Sequence, residues 1–433
     1  MICDNLKVSE NGHLLFAGQD TVELANKYGT PCYLMDEDKI REKCRIYKAA
    51  FSKYFGESAV PLYASKANCF KRLIEIMKEE GMGIDVVSSG EIYTAFVAGF
   101  DLGKAYFHSN NKTDEDIRFG MDKGVGYFVC DNVEEVKALQ REALSRGIVQ
   151  KVLLRLSPGI DPHTFEEVAT GKVDSKFGSA IETGQALEIT EYTLKQPNID
   201  LRGFHCHVGS QIFTEDVFER AAVIMLEFIA ECRDKLGYTA AELNLGGGYG
   251  VRYVDTDPYL DIDDKVRQVS EAVKGACSRL GLEVPEIHME PGRSIVADAG
   301  MVLYTAGTVK MIPGYKNYVS IDGGMPDSPR YALYKAKYTC YAANKMDEPA
   351  DFKASVVGRC CESGDIIQEG VMLPESVTRG DIIAVCTAGA YHFSMASRYN
   401  KLPIPPTIML RGGNENYVAV RRETLEDLVR NDI

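Results

Sequence analysis

Lys66 stands between small residues in YASKANCF, where the apolar run AVPLYA gives way to the helical pattern FKRLIEIMKEEG. A lysine amine that is desolvated near other cations becomes a nucleophile able to hold a carbonyl compound as a Schiff base. An arbitrary lysine is a solvated surface charge, but Ala64, Ser65 and Ala67 leave room for a bulky group beside this one. LGGGYG, with Gly246, Gly247 and Gly248, offers backbone N–H groups with no side chains in the way, a pattern that serves either a phosphate or a tight turn. MEPGRS brings Glu290 and Arg293, which alone read as a structural ion pair; facing a pyridine nitrogen, Glu290 would instead keep that ring protonated. FHCHVGS puts His205 and His207 on one face of a strand. A metal site needs at least a third ligand, for which His108 is the one obvious nearby imidazole, and no metal is expected. A carbonyl compound carrying a phosphate suits both the lysine and the glycine triplet, and pyridoxal phosphate is such a compound.

These residues need elements that bring them together. Eight short β-rich runs alternate with helical patterns: AVPLYA (59 to 64), GIDVVS (83 to 88), KAYFHS (104 to 109), GYFVCD (126 to 131), KVLLRLS (151 to 157), LRGFHCHV (201 to 208), AELNLG (241 to 246) and PEIHME (285 to 290). The segments between them repeat apolar residues at i, i+3, i+4 and i+7. Eight strand-then-helix units over this length predict an α/β fold with a TIM-type (β/α)8 barrel, whose active site lies at the C-terminal ends of the strands. Those ends carry Lys66, Asp85, Glu91, His108, Arg155, His205, His207, the triplet, Glu290 and Arg293. A doubly wound open sheet is the competing architecture, but the opening G-x-G-x-x-G turn is missing. From Gly300 onward, β-rich runs separated by Gly, Pro, Asp and Asn predict a second, antiparallel β domain, which the strand-like HLLFAG and PCYLMD near the N-terminus are expected to join. The expected division is 36–300 for the barrel and 1–35 with 301–433 for the β domain. The segment from Phe165 to Phe177 has the polar and glycine content of a mobile lid.

Composition narrows the function. The 433 residues are 45% apolar and 26% charged, with no apolar run near the roughly 20 residues a membrane helix needs. The start MICDNLKVSENGHLLF lacks a basic segment followed by an apolar one, so no secretory signal is expected and a cytoplasmic protein is. A net charge of −14 argues against a nucleic-acid surface and leaves small molecules as partners. The twelve cysteines include no C-x-x-C pair and most read as reduced and buried, Cys360 and Cys361 among them as core thiols.

YASKAN, GIDVVSSGE, FHCHVGSQ, LNLGGGYG, EPGRS, DGGM, CESGD and GAYHFSMASRYN, running from Tyr63 to Asn400, together resemble the fold-type III pyridoxal-phosphate decarboxylases. The resemblance implies that Lys66 binds the cofactor covalently and that His207 contacts its ring. It further implies that Ser210, Gly247, Gly248 and Tyr391 hold the phosphate, that Asp85 and Arg155 belong to the cofactor site, and that Glu290 faces the pyridine nitrogen. Arg293 and Arg330 resemble residues used for phosphate or substrate carboxylate, and Tyr334, Glu362 and Tyr391 resemble substrate contacts. Cys361, the expected proton donor, and Glu362 match a pair inserted into the partner subunit's active site, which implies a homodimer.

The branch most resembled acts on meso-2,6-diaminopimelate, releasing CO2 and L-lysine. Unlike ornithine or lysine, that substrate presents a distal carboxylate, for which Arg330 could be the bidentate partner while Glu362 takes the distal ammonium. The alternatives are a decarboxylase of ornithine, lysine, arginine or carboxynorspermidine, an amino-acid racemase, which Glu290 disfavours, and a non-catalytic cofactor-binding relative. Two departures from the family pattern bear on substrate choice: Tyr331 follows Arg330 where many relatives have proline, and YKAKYTCYAANKMDEPADF has no match in detail.

Overall fold

The computed structural model describes residues 1–57, 59–160, 175–214 and 216–433. They form two compact units, Lys43–Gly250 with Leu260–Gly292, and Met1–Glu42 with Val251–Tyr259 and Arg293–Ile433. The segment read as a lid lies outside the described residues as far as 174.

The first unit is built on eight strands: β1 (Leu62–Ala64), β2 (Gly83–Val86), β3 (Ala105–Phe107), β4 (Tyr127–Cys130), β5 (Gln150–Ser157), β6 (Ile199–His205), β7 (Glu242–Asn244) and β8 (Glu286–His288). Each pairs in parallel with the next. Backbone bonds from Leu62 N to Met289 O (2.9 Å) and Ala64 N to Pro291 O (3.1 Å) tie the exit of β8 back to β1, as a barrel requires. Most of the strands are shorter than the apolar runs that announced them; after β2, β3, β4, β6, β7 and β8 the last residues of the run leave the ladder.

Local chemistry sets the intervening helices. The helix Ser89–Val97 begins where Ser88 accepts from Glu91 N, and Asp114–Asp122 begins with a reciprocal Thr113–Asp116 capping box. Val133–Arg146 is capped by Asn132 and ends at Gly147 in the left-handed region. Leu62, Tyr106, Val129 and Leu153 form one buried cluster of the barrel, each aliphatic side chain there contributing about 1.5–3 kcal/mol.

The second unit centres on the long strand Gly300–Ile312, which pairs antiparallel with Cys32–Asp36, Lys316–Ile321 and Ile382–Cys386. Two pairings are parallel, Lys316–Ile321 with Phe352–Val357 and Cys32–Asp36 with Thr407–Arg411, so the sheet is mixed where the sequence suggested antiparallel throughout. The reason is connection length: thirty residues separate Ile321 from Phe352, including the helix Arg330–Tyr334, and such a crossover can return a strand in the same direction. Cys32–Asp36 joins this sheet as expected, whereas Leu14–Phe16 sits in a small sheet with Leu6–Val8 and Gln19–Asp20. Leu14, Phe16, Leu34, Leu303, Ile408 and Leu410 share one buried core. The excursion Val251–Tyr259 into this unit has no counterpart in the sequence reading. Among the described residues no helix is long and apolar enough to cross a membrane.

Candidate active site

Lys66 lies in the one-turn helix Ser65–Ala67 directly after β1. Tyr63 donates its hydroxyl to Asn68 O at 2.8 Å across that turn, while Ser65 and Ala67 are fully buried. The small residues are needed: a Cβ on Gly292, in the chain leaving β8, would lie 2.9 Å from the Ala64 methyl and 3.0 Å from that of Ala67.

Glu290, just past β8, gathers donors from other strands of the barrel. Asn244 Nδ2 of β7 donates to its Oε1 at 2.7 Å. His108 Nε2, beyond β3, lies 2.8 Å from the same oxygen, and His205 Nε2 of β6 lies 3.3 Å from Oε2. Burial alone would raise the Glu290 carboxyl, but the two imidazoles overcome it and hold the group well below the usual carboxylate range. Burial pushes His205 down to about 3, so it is neutral. His108, His205 and Glu290 are also a group of potential metal donors, all within 4.8 Å, but the third member is a carboxylate that both imidazoles already contact, and His207 is not part of it.

Asp85, at the end of β2, is buried, with His108 Nε2 3.8 Å from its Oδ1, and neither carboxylate oxygen has a hydrogen-bond partner among the described residues; burial raises it, against the His108, Lys66 and Arg155 charges. Arg155 of β5 lies 3.9 Å from Asp131 Oδ1 and stacks 4.2 Å over the Phe177 ring. Glu91 accepts from Val87 N at 2.8 Å and thereby braces the turn after β2; burial lifts it to about 7.

The glycine triplet follows β7. Gly247 leaves no space for a side chain, since a Cβ there would come within 2.0 Å of Glu290 O, and at Gly248 (φ +132°) one would meet Gly209 O at 2.2 Å. Gly247 N donates to His207 Nδ1 at 3.3 Å. Burial, aided by the Lys66 and Arg155 charges, keeps that imidazole far below its ordinary pKa and neutral. Ser210 follows β6 close by in sequence. An amine, a fixed carboxylate, a side-chain-free run of backbone N–H groups, and buried polar atoms of Asp85 and His205 Nδ1 with no hydrogen-bond partner among the described residues fit pyridoxal phosphate.

The second unit holds a separate constellation. Arg293, 5% exposed, donates to the Tyr253 hydroxyl at 2.7 Å and lies 4.7 Å from the Tyr391 ring centre. Tyr391 has a φ of +60°. Arg330, 2% exposed, opens the helix Arg330–Tyr334, donates from Nε to Tyr334 Oη at 2.6 Å and also donates to Tyr338 Oη. No carboxylate among the described residues pairs with Arg330; its neighbours are the phenols of Tyr253, Tyr334 and Tyr338. Tyr331 turns away and donates to Glu369 Oε2 at 2.6 Å. The unmatched segment behind it supplies Tyr338 and the strand Cys340–Ala342.

Cys361 and Glu362 lie in an exposed loop, and Cys361 is the exposed cysteine of the twelve. Reading Cys360 and Cys361 as core thiols is therefore corrected: Cys360 is half-buried and Cys361 exposed, because the loop that carries them lies at the surface. Asp365 ties this loop down, its Oδ2 accepting from Cys360 N at 2.7 Å and its Oδ1 from Met325 N at 2.6 Å, while Cys361 N donates to Asn400 Oδ1 at 2.8 Å.

The sequence reading missed Asn244, Tyr253, Tyr338 and Asp365 as parts of these constellations. Asn244 had a signal, a polar residue inside the apolar run AELNLG; the two tyrosines had none.

Residues 37–297 match the family model of the pyridoxal-dependent decarboxylase, pyridoxal binding domain. The diaminopimelate decarboxylase of Bacillus subtilis is 44% identical over 98% of this chain and 96% of its own length, and that of Staphylococcus aureus 42% identical over 99% of each. The crystal structure of diaminopimelate decarboxylase from M. jannaschii in complex with L-lysine superposes with a TM-score of 0.91 at 30% identity, covering 100% of this chain and 98% of that one. The chain therefore belongs to the pyridoxal-dependent decarboxylases and, within them, to the diaminopimelate decarboxylase family.

Proposed function

We propose that this chain decarboxylates meso-2,6-diaminopimelate to L-lysine and CO2. The observation that carries the choice of substrate is Arg330, a buried cation paired with phenols and with no carboxylate among the described residues. A buried guanidinium needs an anion, and a substrate with a second carboxylate brings one.

Pyridoxal phosphate, when bound, supplies the sink for the electron pair left as the Cα–carboxylate bond breaks. Lys66 binds its aldehyde carbon, Gly247, Gly248, Ser210 and Tyr391 hold its phosphate, and Asp85, Arg155 and His207 complete its site. Glu290, kept ionised by its donors, holds a proton at the pyridine nitrogen. Arg293 and Arg330 take the distal carboxylate, with Tyr334 fixing the Arg330 guanidinium and Tyr391 a further substrate contact. Two copies associate, so that Glu362 of the partner subunit receives the distal ammonium and Cys361 of the partner subunit returns a proton to Cα. Their exposure supports this reading, as do the exposed apolar side chains of Leu333 and Met372 in the same unit.

Arg330→Lys tests the substrate assignment. It is expected to lower kcat/KM for meso-diaminopimelate by at least about tenfold, because a lysine cannot make the bidentate contact, and to spare lysine as a slow alternative substrate. Equal losses on both would remove the assignment.

A further inference from the structure

Tyr253 is the residue that Arg293 and Arg330 share. It lies in the excursion Val251–Tyr259, five residues after Gly248. Its hydroxyl takes a hydrogen bond from Arg293 at 2.7 Å and is also a hydrogen-bond partner of Arg330, and both guanidiniums lie within 6 Å of its ring centre, at 5.8 and 5.0 Å. All three side chains are buried. Two buried cations this close repel each other unless something of opposite polarity stands between them, and here that is the phenol oxygen. Burial would by itself raise the Tyr253 phenol, yet the two arginine charges draw it below the ordinary tyrosine value.

The ring is held independently of its hydroxyl. It meets Tyr338 edge-on, with centres 5.2 Å apart and planes at 83°. Asp257 Oδ2 accepts from Tyr253 N at 2.9 Å and Val254 N at 3.2 Å, and Thr339 donates its hydroxyl to Tyr253 O at 2.8 Å. Removing only the oxygen therefore leaves the loop and the ring in place.

We propose that Tyr253 is a positioning residue for substrate choice: its hydroxyl spans Arg293 and Arg330 and presents the two guanidiniums as one receptor for the distal carboxylate. The proposal rests on the assignment of that carboxylate to these arginines. It makes carboxylate recognition a property of three side chains, one of which touches no substrate.

The test is competitive inhibition of CO2 release from meso-diaminopimelate by the holoenzyme, with L-lysine, which bound as the product carries its one carboxylate at the distal position, and cadaverine, which has none. Wild type, Tyr253→Phe and Arg330→Lys are compared, with cofactor content and Tm measured on each. Tyr253→Phe is expected to raise KM for meso-diaminopimelate and Ki for lysine about tenfold, the scale of a lost hydrogen bond to a charged group, with kcat and the cadaverine Ki within about twofold of wild type. A merely structural role would instead lower kcat, cofactor content and cadaverine affinity together, and that result overturns the proposal. An unchanged lysine Ki in Tyr253→Phe, with a raised one in Arg330→Lys, also overturns it while leaving the carboxylate assignment standing. An unchanged lysine Ki in both variants overturns the assignment and the proposal together.

Discussion

Asn244 Nδ2 donates to Glu290 Oε1 at 2.7 Å, from the end of the strand next to the one that delivers the carboxylate. With His108 and His205 it keeps a buried carboxylate ionised. Glu290→Gln is expected to lower kcat by about 100-fold or more, the scale on which one preorganised charge in a buried site acts. Asn244→Ala, which leaves the charge but loosens it, should cost about tenfold. Steady-state kinetics with cofactor in excess measures both; equal effects would mean that the donor matters as much as the charge.

Gly247→Ala should cost cofactor rather than turnover. Its Cβ would come within 2.0 Å of Glu290 O, so the backbone between β7 and β8 must shift. Purified variant is expected to carry less than about a tenth of the wild-type cofactor, read from the pyridoxal absorbance, and to recover part of its activity when pyridoxal phosphate is added in excess.

Cys361→Ala should slow turnover by about 100-fold or more while the cofactor stays bound, as removal of a positioned proton donor does. Cys360→Ala, one residue away and half-buried, should remain within about twofold of wild type. Comparable kcat values in the two variants would exclude the thiol of Cys361 as the donor.

Asp327 supplies a pH dependence of stability. Burial pushes its carboxyl up to about 7, against bonds from Gly324 N (3.0 Å) and the Tyr304 hydroxyl (3.0 Å). In the unfolded chain it titrates near 3.8, so between about pH 4 and 7 the folded protein holds a proton that the unfolded chain has lost. Stability from this group thus falls as pH rises through that window and is gone above it, by about 2 kcal/mol between pH 5.5 and 7. Asp327→Asn should flatten the decline, giving a Tm at pH 8 about 2 °C closer to its pH 5.5 value than in wild type. Parallel Tm-against-pH curves would count against it.

The barrel was legible because each strand is a dense apolar run bounded by a helix with its own caps, and Lys66, Asp85 and Glu290 stood at the ends of such runs. His108 and His205 stood at strand ends too, but their gathering with Asn244 around Glu290 was less legible, since these residues converge only when the barrel closes and no spacing along the chain announces that. The parallel pairings of the second unit were hidden for a related reason, since strand direction depends on a long connection rather than on the strand. Exposure of Cys361 follows from the turn that Asp365 and Asn400 fix, which is written in tertiary hydrogen bonds. The alliance of Tyr253 with two arginines likewise joins residues 40 and 77 positions apart.

The most direct test of the account is to incubate the holoenzyme with meso-diaminopimelate, its L,L isomer, lysine, ornithine and arginine, and to measure CO2 and the amine product. The account predicts CO2 and lysine in equal amounts from the meso isomer, with little or no release from the others. CO2 released faster from ornithine, lysine or arginine than from meso-diaminopimelate would contradict it.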